Sequence, residues 1–560
     1  MERFWTKHYD EGVPRDFQLQ EKTVVDFLDR AAEKWRGRPA LTLKGKTLNY
    51  GQLKDQVDRF ATGLAGLGVK RDSRVALWMP NLPQMVIGYF ATLRLGAQVV
   101  NTNPLYVERE IEHQFGDAGV SVVVTLDFLW WYKLRGMLGK TQVQHVVVSS
   151  IPDYLPFPLN LLAPLKLKKT RQYVKVPREP RVHFFKEMLR DHPPSPPKVE
   201  YSLDHLAILQ YTGGTTGVSK GAMLTHRNIS ANAQQCLAWF PMLVEGEEVL
   251  LACLPYFHVF GMTVSMLMPI LAGSHIILAP NPRDIPDLVK SITKHRVTLF
   301  PAVPAHYVAI NNYPRIDQLD ISSIKGCFSG SAPLPVEVLE RFEKLTGGKI
   351  TEGFGLTETS PVTHVNPLFG LRKPGSVGVP MPGTDARIVD VETGEKELGP
   401  NQEGEVCAKG PQVMAGYWNR PDETAKVLRN GWMHTGDLAR MDEDGFFYIV
   451  GRKKDMIVGS GGFNVYPDEV DGVLFAHPAV LEAATIGVPD PARGETVKSF
   501  VVLKPGHAVT QEELIEHCKK LLAPFKVPRQ IEFLPELPKS SMMKILRRDL
   551  RAREIKKAGS

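Results

Sequence analysis

Cysteine is scarce in this 560-residue chain: Cys236, Cys253, Cys327, Cys407 and Cys518 stand far apart, with no CxxC pair and no histidine at zinc-finger spacing. That excludes a disulfide framework and a structural zinc site, and it fits a reduced, cytoplasmic setting. Long apolar runs are also missing. No stretch approaches the roughly 20 uninterrupted apolar residues that span a bilayer as a helix, so any meeting with a membrane is expected from one side. Residues 1–10 carry charges where a signal peptide holds its apolar stretch, which argues against export. Charge of one sign is in small excess, and +7 over this length makes no electrostatic case for nucleic acid. No repeat of solenoid length recurs. A Walker A loop is absent too: its nearest imitation, Gly139-Lys140-Thr141, has Leu134 where the first glycine belongs.

What is present is enough apolar material for a large interior, 43% of residues, in a chain too long for one ordinary core. Two or more units are expected. Between residues 74 and 126 an apolar run at Val75-Ala76-Leu77-Trp78-Met79 is followed by a helical stretch to Gly96. A second run at Val99-Val100, a helix over 108–115 and a third run over 122–125 come next. Strand and helix alternating at these lengths predict a parallel sheet. Similar alternation over 249–278 and 297–328 makes the first three-quarters of the chain layered α/β. Near Gly451-Arg452-Lys453-Lys454-Asp455 an apolar run gives way to charge and then to Gly459-Ser460-Gly461-Gly462. The boundary is placed there, giving a large unit over 1–451 and a small α+β unit over 452–560. Strands over 483–488 and 499–503 and a helix over 511–522 are expected in the small unit.

The most informative stretch is Tyr211-Thr212-Gly213-Gly214-Thr215-Thr216-Gly217-Val218-Ser219-Lys220-Gly221. Glycines let backbone N–H groups crowd an anion, the hydroxyls of Thr212, Thr215, Thr216 and Ser219 add donors, and Lys220 supplies a charge. Together they make a phosphate cradle. A flexible linker seldom combines threonines with a terminal lysine between apolar strands.

With five later stretches, this loop resembles the adenylate-forming superfamily of acyl-CoA synthetases, luciferases and peptide-synthetase adenylation domains. The stretches are Gly330-Ser331-Ala332-Pro333-Leu334, Glu352-Gly353-Phe354-Gly355-Leu356-Thr357-Glu358, Trp432-Met433-His434-Thr435-Gly436-Asp437, Gly451 to Asp455, and Leu537-Pro538-Lys539-Ser540 leading to Lys544-Ile545-Leu546-Arg547-Arg548. They fall in the family's order over nearly the whole chain. Asn281-Pro282-Arg283-Asp284 and Val465-Tyr466-Pro467 look most like the bacterial long-chain fatty acid ligases.

The resemblance implies a fatty acid activated by ATP to an acyl-adenylate, then passed to coenzyme A, with Mg²⁺ as the metal. Two anions must meet when a carboxylate attacks the α-phosphorus, so such a site needs charge neutralisation and alignment. By the same resemblance Glu358, with Thr215, would hold Mg²⁺, and Thr357 would contact the α-phosphate. Phe354, between Gly353 and Gly355, would stack on adenine, with the Gly330, Ser331, Ala332 and Pro333 turn on its other side. Asp437 would accept from the ribose hydroxyls, Arg452 would reach the ribose or phosphates, and Lys544 would be the catalytic lysine. Lys454 would be the hinge about which the small unit swings to admit the pantetheine thiol.

Two departures stand out: Met543 occupies the family's glycine before the lysine, and the Gly459 to Gly462 loop is one residue longer. The run Leu254-Pro255-Tyr256-Phe257-His258-Val259-Phe260-Gly261 is a candidate wall of the acid's pocket. There Phe257 lines the cleft, and His258 either orients the carboxylate or is a buried structural histidine. Residues 154–181 set Leu155, Phe157, Leu159, Leu161 and Leu162 beside Lys166, Lys168, Lys169, Arg171 and Lys175, with Pro156, Pro158 and Pro164 expected to deny a long helix. This segment either settles on the inner leaflet of a membrane or packs as a loop on its own domain. A carrier-protein-loading acyl-AMP ligase and a weak acyl or nucleotide binder are the rival functions, and a monomer and a homodimer both stay open.

Overall fold

The computed structural model describes residues 3–212, 219–453, 455–458, 464–490, 494–540 and 544–558. Its backbone is an α/β large unit followed by a smaller α+β unit, as the alternation predicts. A seven-stranded sheet runs in the order Val182–Phe184, His145–Ser149, Val122–Leu126, Arg74–Trp78, Gln98–Asn101, Leu206–Thr212, Lys220–Thr225. Every neighbouring pair is parallel except the last, which is an antiparallel hairpin. The strand Val122–Leu126 is buried throughout, which is why its sequence is a continuous apolar run and not an alternating one. The helix Pro83–Arg94 opens on proline and is buried on all sides up to Leu93.

A second sheet orders Val249–Ala252, His275–Leu278, Pro39–Leu43 and Lys46–Asn49, and a third orders Gly326–Ser329, Lys349–Gly355, Val362–Val365 and Val379–Pro380. Parallel bridges from Leu299 to Leu250 and to Gly326 join the two. One continuous core serves these layers. Sidechain caps start several helices, among them Thr23 with Asp26 and Thr225 with Asn228, each typically worth about 1 kcal/mol.

Layered α/β does not extend through the first three-quarters of the chain. From Asp385 the strands Asp385–Val389, Glu403–Lys409, Leu428–Arg429, Trp432–Met441 and Phe447–Arg452 form a purely antiparallel sheet. Only the short helix Pro421–Val427 intervenes, too little chain for parallel crossovers. The last strand ends at Arg452, and Lys454 lies outside the described residues. The small unit pairs Val480–Asp490 with Gly494–Leu503, and Gly494–Leu503 with Gln530–Phe533, over two small cores. Its helix Gln511–Leu521 falls where the periodicity places it.

The prolines of residues 154–181 allow a helix of 11 residues and none longer. Leu159–Lys169 is helical with Pro164 inside it, so the missing N–H costs one hydrogen bond without ending an element of 11 residues. Among the described residues no helix is long and apolar enough to cross a membrane.

Candidate functional site

The glycine-rich stretch connects two paired strands. Thr212 lies opposite Lys220 in the register, so both mark the ends of the loop. Gly213, Gly214, Thr215, Thr216 and Gly217 lie outside the described residues. Lys220 does not stand free at the loop's end: its ammonium pairs with Glu423 and sits 5.3 Å from the centre of the Tyr417 ring. Its charge is therefore partly offset within the protein.

Tyr417 is the residue that connects this hairpin to the rest of the site, and the sequence did not single it out. Residues 415–418 run beside the strand Lys220–Thr225, with Met223 N–H donating to Gly416 O at 2.8 Å and Trp418 N–H to Gly221 O at 2.8 Å. That pairing aims the Tyr417 hydroxyl at Glu358, to which it donates at 2.6 Å. Burial, and then the Glu358 charge, push the Tyr417 ionisation well up, so it stays a neutral donor.

Glu358 sits on a single 3₁₀ turn, Thr357–Thr359, just beyond the strand Lys349–Gly355. Met414 N–H donates to its carbonyl at 2.8 Å and fixes the turn. The approach to it is tight. A Cβ on Gly355 would meet the Pro361 carbonyl oxygen at 2.0 Å, so no side chain fits there. Thr357 and Glu358 are half-buried, and among the described residues no lysine or arginine forms an ion pair with Glu358. A half-buried carboxylate without a cation partner suits a hard divalent ion. No cluster of three or more His, Cys, Asp or Glu that could hold a metal exists among the described residues.

Phe354 is half-buried with its ring 5.8 Å from that of His364, and it packs on the antiparallel sheet. The Gly330, Ser331, Ala332 and Pro333 turn follows the buried strand Gly326–Ser329, with Ser331 at φ +74°. Leu334 N–H donates to Glu352 at 3.2 Å, and burial lifts the Glu352 carboxyl to about 8.

Asp437 lies on Trp432–Met441 directly opposite Arg452 on Phe447–Arg452. It is 2% exposed, and Arg452 Nε reaches its Oδ1 at 2.8 Å. Gly436 at φ +71° turns the chain into it. Gly436 N–H donates to Glu405 Oε1 at 2.9 Å and Asp437 N–H to Thr435 Oγ1 at 3.1 Å. Behind them, His434 Nδ1 lies 3.6 Å from Glu405 and 3.4 Å from Cys407 Sγ. These buried partners set where Asp437 stands.

Phe257 is half-buried, and its carbonyl accepts from Gln210 at 2.8 Å. His258 caps the helix Val259–Met262, its Nδ1 accepting from Phe260 N–H at 3.3 Å. That bond assigns the proton to Nε2, which is left as a donor. Desolvation, and then the nearby Lys544 charge, hold its pKa down at about 4, so the ring is neutral at pH 7.

Lys544 belongs to the small unit. Ser540 N–H donates to Lys544 O at 2.8 Å, Lys544 N–H to Ser540 Oγ at 3.2 Å, and Leu546 N–H to Pro538 O at 2.8 Å. Lys544 is exposed to solvent yet walled by protein on several sides, and it faces groups of both units. That enclosure first, and Arg452 next, pull its pKa down to about 8, against the opposing pull of Asp437 and Asp468. Met543 and the Gly459 to Gly462 loop lie outside the described residues. The structure thus brings Lys544, His258, Asp437 and Arg452 within one field, and joins Lys220 to Glu358 through Tyr417.

A family profile described as AMP-binding enzyme matches residues 28–418, and a second, described as AMP-binding enzyme C-terminal domain, matches residues 469–544. The long-chain-fatty-acid–CoA ligase of Bacillus subtilis (strain 168) is 46% identical over 98% of this chain and 97% of its own. The ligase of the same description from Escherichia coli O157:H7 is 42% identical over 98% of each. Among solved structures, an anthranilate CoA ligase in complex with anthranoyl-AMP aligns with a TM-score of 0.86, at 26% identity over 97% of this chain and 99% of that one. ATP-bound MatB from Rhodopseudomonas palustris aligns with a TM-score of 0.82, at 29% identity over 94% and 98%.

Proposed function

This chain belongs to the AMP-binding enzyme family, and from that premise we propose that it activates a medium- to long-chain fatty acid with ATP and transfers the acyl group to coenzyme A. The carboxylate attacks the α-phosphorus of ATP and pyrophosphate leaves, giving the acyl-adenylate. The thiol of coenzyme A then attacks the acyl carbonyl, the C–O bond to AMP breaks, and the thioester and AMP are the products. The full-length relatives named for long-chain fatty acids support the substrate class.

The observation that carries the first step is that Lys544 lies within electrostatic reach of His258 and Asp437 of the large unit and of Arg452 at the boundary between the units. Two anions approach each other there, and a cation facing them from a low-dielectric wall lowers the barrier. Neutral His258 offers its Nε2–H to the acid without adding a second charge that would repel Lys544. Asp437, buried beside Arg452, accepts from the ribose hydroxyls. Glu358 and Thr215 would hold Mg²⁺, which when bound neutralises the phosphate oxygens; Tyr417 keeps Glu358 pointed at that place. Thr357 contacts the α-phosphate, Phe354 stacks on adenine, and residues 452–560 pivot near Lys454 between the two steps. The enzyme works in the cytoplasm and meets lipid from one side.

Pyrophosphate release from ATP and Mg²⁺ with a panel of fatty acids, with and without coenzyme A, tests this. Acid-dependent pyrophosphate with stoichiometric acyl-CoA by mass is the expected result. Pyrophosphate without thioester would move the acceptor to a carrier protein, and no pyrophosphate from any acid would refute the reaction.

A further inference from the structure

Five of the eleven residues of the helix Leu159–Lys169 are leucine, yet the helix buries none of its side chains. Phe157 just before it is 78% exposed, Leu161 64%, Leu162 55% and Leu165 66%. Leu161 and Leu165 are four apart and Leu162 and Leu165 three, so they share one face. Lys166 follows Leu162 by four, and Lys168 and Lys169 follow Leu165 by three and four, so the same face turns basic within one turn.

The charge is one-sided. Residues 154–178 contain no aspartate or glutamate and six bases, Lys166, Lys168, Lys169, Arg171, Lys175 and Arg178. Among the described residues only Arg178 of these is in an ion pair, with Glu187. The segment is also fastened at both ends. The buried Tyr154 donates to Gln56, lies under the Lys46 ammonium at 5.0 Å and meets the Phe185 ring edge-on at 6.4 Å. On the far side Val174 N–H donates to Asp127 Oδ2 at 3.1 Å.

We propose that this arm docks the protein on an anionic bilayer, with the leucines at the boundary between headgroups and acyl chains and the lysines on lipid phosphates. Lysine stems reach along apolar surface while their heads stay in the polar layer, which suits a face that turns from leucine to lysine. A second copy of the chain fits poorly, because two such faces would bring like charges together. The inference deepens the placement at lipid given above by naming the surface and the lipid class, and its test reads binding apart from the reaction.

The full-length protein is sedimented with vesicles of phosphatidylcholine alone and of phosphatidylcholine with phosphatidylglycerol, without substrates. The parent should bind the anionic vesicles more tightly. Lys166→Gln/Lys168→Gln/Lys169→Gln should weaken that binding on the order of a hundredfold, at about fivefold for each lysine near the surface. Leu161→Gln/Leu162→Gln/Leu165→Gln should reduce binding to both kinds of vesicle. Acid-dependent pyrophosphate release by both variants should stay at the parent level, because the arm contributes nothing to the site; this reports folding. Unchanged partition of the folded variants, equal binding of the parent to both vesicles, or a leucine-dependent dimer that ignores vesicles would each overturn the proposal. Loss of acyl-CoA formation with vesicle binding intact would count against the reaction alone.

Discussion

On the large unit Glu358, Tyr417, Lys220 and Glu423 hold one another by side-chain contacts, whereas on the small unit Lys544 is held by the backbone of a short returning loop and Ser540. One half of the site is fixed before any ligand arrives. The other presents a single charge within electrostatic reach of His258 and Asp437 and leaves its head without a hydrogen-bonded anchor on the opposite unit among the described residues. A fixed half suits the AMP moiety, which in the proposed reaction is held until the thioester forms. A presented half suits a charge needed in one step and withdrawn for the next.

Removing the presented charge should have the largest effect. Lys544→Ala should slow pyrophosphate release at saturating acid by about a hundredfold or more, the scale of one lost transition-state donor; a rate near that of the parent would remove the lysine from the adenylation step. Next comes the fixed carboxylate: Glu358→Gln should cost about a hundredfold and shift the Mg²⁺ dependence to higher concentration. If activity fell with the Mg²⁺ dependence unmoved, the carboxylate would have a role other than holding the ion. Tyr417→Phe deletes one hydrogen bond to a charged group, worth about 1.5 kcal/mol, and should lower the rate about tenfold. Its signature is again a shifted Mg²⁺ titration, which a merely structural role would not produce.

The pH profile separates the halves in another way. A lysine with its pKa lowered to about 8 carries its charge below that value and loses it as pH rises through it. The kcat/KM for pyrophosphate release should therefore fall above about pH 8, and Lys544→Arg should carry the falling limb out of range, since guanidinium stays charged. A limb unmoved in the arginine variant would assign it elsewhere. The smallest effect concerns stability beneath the fixed half. Glu352, lifted to about 8 by burial, binds a proton in the folded state that the unfolded chain releases above its ordinary value near 4.5. The wild type should thus lose stability as pH rises from about 5 to 8. Glu352→Gln should melt with the parent near pH 5 and above it at pH 8; parallel curves would contradict the buried carboxyl.

Much of the fold was legible because it depends on local pattern. The all-apolar strands Arg74–Trp78 and Val122–Leu126, and the helices after them, give a parallel sheet by spacing alone. The antiparallel sheet from Asp385 was not, because its strands are joined by turns whose partner choice is tertiary. Nor was the helix Leu159–Lys169, where three prolines outweighed helix-forming leucines on paper. Glu358, Asp437 and Lys544 were named as site candidates through motif, and Asp437 facing Arg452 follows from two motifs on adjacent strands. Tyr417 stands 59 residues from the Glu358 it holds, and only the chain running beside Lys220–Thr225 brings it there. Glu423, which offsets Lys220, is invisible for the same reason: nothing local to Pro421–Val427 marks it as the partner of Lys220.

The two half-reactions of Lys544→Ala, measured separately, test the division of labour most directly: fatty acid with ATP and Mg²⁺ followed by pyrophosphate, and chemically prepared acyl-adenylate with coenzyme A followed by thioester mass. The account predicts that the first is slowed by about a hundredfold or more while the second runs within a few-fold of the parent. Equal loss in both would contradict it, because Lys544 would then serve both steps and the small unit would not be presenting a charge for one.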